Sequence, residues 1–122
     1  MSNTSIPKRG DIWLVNFDPS IGAEIRKTRP AVVVSSDGVG KLPVKLVAPL
    51  TEWKDAFGDS VWLVRIEPDS QNGLTKTSAA DVLQLRGMDV RRFVSRIGQV
   101  STELMDEIAM AIAIAVEYPP AT

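Results

Sequence analysis

A chain of 122 residues, 44% of them hydrophobic, holds enough apolar material for one compact core and too little length for two ordinary domains, so a single domain over residues 1–122 is expected, with residues 1–8 flexible. Fourteen basic and fifteen acidic side chains leave a formal charge of -1, which excludes any argument for nucleic-acid binding from net charge and leaves only local patches. With neither cysteine nor histidine, disulfides, thiolate sites and the usual zinc ligands are excluded, a cytoplasmic location is expected, and any chemistry falls to arginine, carboxylates, hydroxyls and lysine.

The first ten residues are polar and lack the apolar run of a signal peptide. Residues 11–17 carry bulky apolar and aromatic side chains at both parities, the pattern of a strand covered on both faces. Pro19, Gly22 and mixed charges then predict a long connection rather than a tight hairpin. Residues 31–35, nearly all valine, predict a second strand opened by Pro30. Asp37-Gly38 and Gly40 mark a turn, after which the β-branched runs at 44–48 and 61–66 predict strands three and four. Gly73 breaks the chain again. Residues 79–85 and 95–100 are weaker strand candidates, separated by a short helix at 89–93.

The final segment alternates isoleucine and alanine as a strand does, but other signals decide for a helix. Ser101 is an N-cap, Glu103, Asp106 and Glu107 place negative charge in the opening turns, and alanine is the best helix former. Leu104, Ile108, Ile112 and Ala115 then share one face, and Pro119 stops the helix. Its apolar stretch at 108–116 is far shorter than the ~20 residues that span a bilayer, so no membrane association is expected. Five or six short strands and one strong helix predict a mainly β fold, a small partly open barrel with the C-terminal helix across it.

Three polar features stand out. Glu24, Arg26, Lys27, Thr28 and Arg29 form a net-positive loop end before the valine strand, which is equally the composition of a solvated loop. Thr51, after Pro49 and Leu50, places a hydroxyl at the mouth of a strand, where threonine is commonly a turn residue. Arg86, Arg91, Arg92 and Arg96, opposed only by Asp89, would suit phosphate contacts or an ordinary basic surface. Trp53 and Phe57 offer base-stacking faces or core filling.

Arg9-Gly10-Asp11-Ile12-Trp13, followed by Val15, Asp18-Pro19, Gly22, Glu24 and Thr28-Arg29-Pro30, resembles the opening signature of the MazF/PemK family of toxins. The resemblance continues through Pro49-Leu50-Thr51 and through Gln84-Leu85-Arg86 with Asp89, and so covers nearly the whole chain. It implies an SH3-like small barrel of the CcdB/PemK type, a homodimer, an antitoxin partner, and cleavage of single-stranded RNA without cofactor or metal. The ribose 2′-hydroxyl would act as internal nucleophile, leaving a 2′,3′-cyclic phosphate and a 5′-hydroxyl.

In that reading Arg29 and Thr51 stabilise charge on the phosphate, and Glu24 accepts the 2′-hydroxyl proton or orients Arg29. Arg26, Lys27, Thr28, Gln84 and Arg86 are the RNA-binding candidates. The chain departs from the family in three places: Ala23 stands where relatives often carry serine or histidine, Leu83 where many have aspartate, and Gly87 where a small hydroxyl residue is usual. Asp81 lies where the PemK branch has a catalytic arginine. Two other readings fit these departures, a weakly active or inactive relative that binds an antitoxin, and a CcdB-like barrel that inhibits a protein target such as DNA gyrase.

Overall fold

Apolar side chains at both parities of the first strand reflect a sheet with a hydrophobic cluster on each side. In the computed structural model, which describes residues 6–39 and 43–119, Ile12 joins one cluster while Trp13 and Val15 join the other. The strands are β1 (Asp11–Asn16), β2 (Thr28–Val33), β3 (Val44–Glu52), β4 (Leu63–Ile66), β5 (Ser78–Asp81), β6 (Arg86–Asp89) and β7 (Phe93–Gln99), followed by helix α1 (Thr102–Ala115). All pairings are antiparallel, in the order β4-β5-β3-β2-β1-β7, with β6 paired to the first half of β3. The fold is mainly β with a C-terminal helix, as expected, in seven strands rather than five or six.

The first cluster gathers Ile12, Val32, Leu50, Val64, Ile66 and Ala80 beneath Met105, Ile108 and Ala111 of α1. Across the sheet, Trp13, Val15, Phe17, Ala31, Val33, Val47 and Met88 form the second, with Ile25 and Phe93 packed against it. β4 and β7 are the sheet's two edges, and the turn after β4 closes the gap between them. The Gln99 amide donates to the Gln71 carbonyl (3.0 Å). Asn72, wholly buried, fixes that turn: its Oδ1 accepts from the amides of Asp69 (3.1 Å) and Leu74 (3.0 Å), and its Nδ2 donates to the Glu67 carbonyl (2.8 Å). The approach is so close that a Cβ on Gly98 would lie 2.3 Å from the Gln71 oxygen.

Several expected elements are redrawn. β2 begins at Thr28, so Pro30 lies inside it, opposite Leu14. The strand tolerates proline there because Thr28–Pro30 pairs with β1 alone and the β3 ladder starts only at Ala31. β3 runs on through Pro49, Leu50 and Thr51 to Glu52, since Pro49 falls between the β6 ladder, which ends at Val47, and the β5 ladder, which starts at Leu50. Thr51 is therefore a strand residue rather than a turn residue. Strand four starts at Leu63, not at Val61, and the helix expected at 89–93 is a single 3-10 turn, Val90–Arg92. The candidate strand at 79–85 resolves into β5 and a 3-10 turn at Val82–Gln84, and β6 follows it at residues that were not expected to form a strand.

Ser101 caps α1 as expected, its hydroxyl accepting from the Leu104 amide (3.1 Å). The buried stripe is Met105, Ile108 and Ala111, flanked by Leu104 and Ile112, while Ala115 is exposed. The helix ends before Pro119, with Glu117 at φ 58, its amide on the Ile114 carbonyl (3.1 Å) and the Tyr118 amide on that of Ala113 (2.8 Å). This is a Schellman closure. Of residues 1–8, the first five lie outside the described residues, as does Gly40. Pro7 is buried, and Lys8 exchanges two hydrogen bonds with Asp11.

Candidate active site

Strand register brings the two central candidates together. β2 and β3 pair Ala31 with Pro49, Val32 with Ala48 and Val33 with Val47. Carrying that register two residues past its last pair sets Arg29 opposite Thr51. Residues opposite one another in an antiparallel pair point to the same face, and alternate residues share it. Arg29 thus lies on the face of Ala31 and Val33, and Thr51 on that of Pro49 and Val47, both on the side of the second cluster, away from α1. Thr51 pairs in turn with Ala79, and Ala79 with Arg65, so one transverse row crosses three strands as Thr51, Ala79, Arg65, and Arg29 lies on the same face of the adjoining β2. Arg29 and Thr51 are both half-buried, at the open rim beyond the core.

The connection between β1 and β2 is held from three directions. The Lys27 carbonyl accepts from the Phe17 amide (2.9 Å), and the Lys27 amide donates to Asp18 Oδ1 (3.0 Å), with Lys27 itself at φ 68. Gln84 grips the same loop with both ends of its amide: Oε1 accepts from the Ile25 amide (3.1 Å) and Nε2 donates to the Ala23 carbonyl (3.1 Å). Arg86 donates to the Phe17 carbonyl (3.3 Å) with its guanidinium carbon 5.8 Å from that ring's centroid, and Arg92 donates to the carbonyls of Asn16 and Asp18. Within the loop, Glu24 Oε1 accepts from the Ile21 amide (2.7 Å). Arg29 Nε donates to the Arg26 carbonyl (3.0 Å), which fixes the guanidinium and leaves its two terminal nitrogens without a partner among the described residues.

Asp81 is the carboxylate of β5 nearest this row, diagonal to Thr51 and on the same face. Burial pushes its carboxyl above the ordinary range, and the amides of Leu83 and Gln84 partly oppose that. Asp89 is held low instead, chiefly by the Arg91 side chain that it pairs with at 2.9 Å.

Residues 8–116 match the family described as PemK-like, MazF-like toxin of type II toxin-antitoxin systems. The chain belongs to that family. It is 35% identical over 115 residues to the endoribonuclease toxin ChpB of Escherichia coli, covering 90% of this chain and 94% of that one. It is 28% identical to the endoribonuclease EndoA of Bacillus subtilis, over 89% of this chain and 93% of its relative. Among solved structures, MazF of Deinococcus radiodurans superposes with a TM-score of 0.73 at 21% identity, covering 91% and 96% of the two chains. A mycobacterial endoribonuclease in complex with its cognate antitoxin superposes with a TM-score of 0.74 at 17% identity, covering 95% and 100%. These likenesses show the small-barrel fold of MazF toxins.

Within this MazF/PemK chain, the expected site residues separate by position. Arg29 and Thr51 share one face of adjacent strands, and Arg26, Lys27 and Thr28 are exposed at the start of β2 and just before it. Glu24 and Arg29 form no ion pair in this structure; the Ile21 amide takes one Glu24 oxygen and the Arg26 carbonyl takes Arg29 Nε. Both atoms of the Gln84 amide are engaged with that loop, 59 and 61 residues away in sequence. The basic stretch does not act as one patch: Arg91 pairs with Asp89, Arg96 with Asp11 (3.3 Å), and Arg86 and Arg92 brace the β1–β2 connection. Trp53 and Phe57 belong to neither core cluster and lie half-buried. Gln84's grip on the loop was not visible in the sequence, because no local pattern marks a side chain that bonds backbone so far away.

Proposed function

We propose that this chain is the toxin of a toxin-antitoxin pair, a single-domain endoribonuclease that cleaves single-stranded RNA by internal transesterification. The 2′-hydroxyl oxygen forms a bond to phosphorus as the P–O5′ bond breaks. Its proton leaves to a base, the departing 5′ oxygen takes up a proton, and the products are a 2′,3′-cyclic phosphate and a 5′-hydroxyl. The step needs neither an external water nor an electron donor, and DNA, lacking the 2′-hydroxyl, is not a substrate.

The observation that carries this reading is that Arg29 and Thr51 lie on one face of adjacent strands, beyond the last residues paired between β2 and β3. Negative charge builds on the phosphoryl oxygens as five-coordinate phosphorus forms, and fixed donors aimed at that charge are the most effective catalytic groups. The Arg29 terminal nitrogens and the Thr51 hydroxyl supply those donors, with Arg29 acting as an electrostatic clamp because arginine keeps its proton. Glu24 is the acceptor of the 2′-hydroxyl proton. Arg26, Lys27, Thr28 and Arg86 hold the phosphate backbone, and Gln84 positions the loop that carries Glu24.

The partners are the RNA, a cognate antitoxin and a second copy of the chain, in the cytoplasm. Relatives solved with an antitoxin support the second of these. Exposed Met110, Ile114 and Val116 on and after α1 support the third, as does an open groove of about 550 Å³ that Met110 and Ile114 line together with Val61 and Leu63. No helix among the described residues is long and apolar enough to cross a membrane.

Incubating the purified chain with a long single-stranded RNA in excess EDTA and mapping the ends tests the proposal. Discrete cuts with cyclic-phosphate and 5′-hydroxyl termini are expected. Intact RNA would move the chain to a binding-only barrel, and cleavage abolished by EDTA would replace the mechanism with a metal-dependent one.

A further inference from the structure

We propose that Trp53 and Arg65 together form a nucleobase subsite, a stacking platform for one nucleotide flanking the scissile phosphodiester. The inference rests on the ribonuclease reading above and adds to it a residue pair that contacts a base.

Position is the first argument. Trp53 follows Thr51 by two residues, just past the end of β3, and its backbone continues the β3–β5 pairing, the Trp53 amide donating to the Thr77 carbonyl (3.0 Å). It therefore points to the same face as Thr51, about 7 Å along the strand. Arg65 occupies the same transverse row as Thr51, two strands beyond it, and so the face that Arg29 shares. The pair sits on the rim that carries the proposed chemistry, on the side of the sheet away from α1.

Construction is the second. The Arg65 guanidinium carbon lies 5.2 Å from the Trp53 ring centroid, and Phe57 meets that ring edge-on at 5.6 Å, perpendicular to it. Arg65 is tied from behind, its Nε donating to Glu67 (2.8 Å), and Glu67 is held in turn by the Thr77 hydroxyl (2.6 Å). That hydroxyl is the chief reason the Glu67 carboxyl is held below its ordinary range, with Arg65 adding to it. A chain of four side chains thus fixes a guanidinium against an indole while more than half of the Arg65 side chain stays open to solvent.

Chemistry is the third. An exposed Arg–Glu pair contributes little to stability, and these aromatic rings serve neither core cluster, so folding does not account for the arrangement. Flat cationic and aromatic faces beside a phosphate-directed arginine match unstacked bases, which proteins hold on aromatic rings and arginine planes. Every base has such a face, so the subsite contributes affinity and placement more than identity.

The test is an abasic scan. Short RNAs carrying a single ribose without its base, at each position near the cut in turn, are compared for kcat/KM in the wild-type chain, Trp53→Ala and Arg65→Lys. Removing the base that occupies the platform should cost the wild type roughly 10-fold, the scale of one lost base–aromatic stack. Trp53→Ala should pay that cost with intact RNA and lose sensitivity at that one position only, and Arg65→Lys, which keeps the charge without the plane, should lose part of it. Should Trp53→Ala fail to fold, the surface variant Arg65→Lys decides by the same criterion. Equal abasic penalties in wild type and variants, at every position, would overturn the platform while leaving the ribonuclease intact. No cleavage by the wild type would overturn both.

Discussion

Arginine at position 29 offers two things at once, a charge and a planar pair of donors, and they can be separated experimentally. Arg29→Ala should lower single-turnover cleavage by roughly 10²-fold, the effect of removing one charge-stabilising donor. Arg29→Lys should recover only part of it, because an ammonium cannot present two parallel N–H groups to a phosphate. Unchanged cleavage by Arg29→Ala would remove the residue from the mechanism. Asp81 makes a different prediction. Since burial raises its carboxyl, the folded chain holds that proton more tightly than the unfolded chain, and ionising Asp81 costs stability. That cost is absent below the unfolded value and grows as pH rises through the folded one. Asp81→Asn keeps an acceptor for the Leu83 amide and removes the charge, so its melting temperature relative to wild type should improve steadily from about pH 3 to pH 6. A constant difference across that range would assign Asp81 no such cost. Both residues stand in the sequence for anyone to see, yet only Arg29 was legible as a candidate, through the ordered motif ending at Pro30. The exposed Glu24 reads as an available carboxylate in sequence, whereas in the fold one of its oxygens is already spent on the Ile21 amide.

Elements were legible where their cause is local. The valines of β2 and the hydroxyl cap of α1 announce themselves within a few residues; the cap forms as read, and the valine strand forms with its bounds moved to Thr28–Val33. β6 escaped because Arg-Gly-Met-Asp has no β-branched run, and it is a strand only because Val44–Val47 offers it a ladder. The continuation of β3 past Pro49 escaped for a related reason: proline reads as a stop until the change of partners at that residue is known. The end of α1 was misassigned to Pro119 because the residue that turns the chain is a glutamate in the left-handed region, where glycine is the usual signal. Holding Glu117 at φ 58 costs stability that glycine would not incur, and a negative residue just past the C-terminus of α1 is disfavoured by the helix dipole. Glu117→Gly should therefore stabilise the chain by about 0.5–1 kcal/mol, after allowing for glycine's greater freedom when unfolded. Glu117→Ala relieves the charge alone and should gain less. Equal urea midpoints for the two variants would show that backbone conformation contributes nothing there.

At the scale of the whole molecule, the sheet has two edges and the chain closes them with a turn rather than with a ladder. The β4 edge leads into residues 69–74, and that turn lies against β7 so closely that neither side has room for a methyl group. A Cβ on Gly98 would meet the Gln71 oxygen at 2.3 Å and the Asn72 carbonyl carbon at 2.6 Å, and one on Gly73 would meet the Ile97 oxygen at 2.5 Å. These are backbone atoms, which cannot swing aside as a side chain does. Gly98→Ala must either shift β7 along β1 or lift the turn, and in lifting it would disturb Asn72, whose buried amide satisfies two backbone amides and one carbonyl. Overpacking of this kind costs about 2–3 kcal/mol. For a domain of this size that lowers the melting temperature by roughly 10 °C. Hydrogen exchange separates the two responses. If the turn lifts, the Gln99 amide, which donates to Gln71, loses protection while the amides of β2 keep theirs. If β7 shifts instead, protection falls along the β1–β7 ladder, the neighbour of the strand pair that carries Arg29, and cleavage should fall with it. A Gly98→Ala chain as stable as wild type, with Gln99 still protected, would mean that the closure is looser than these distances require.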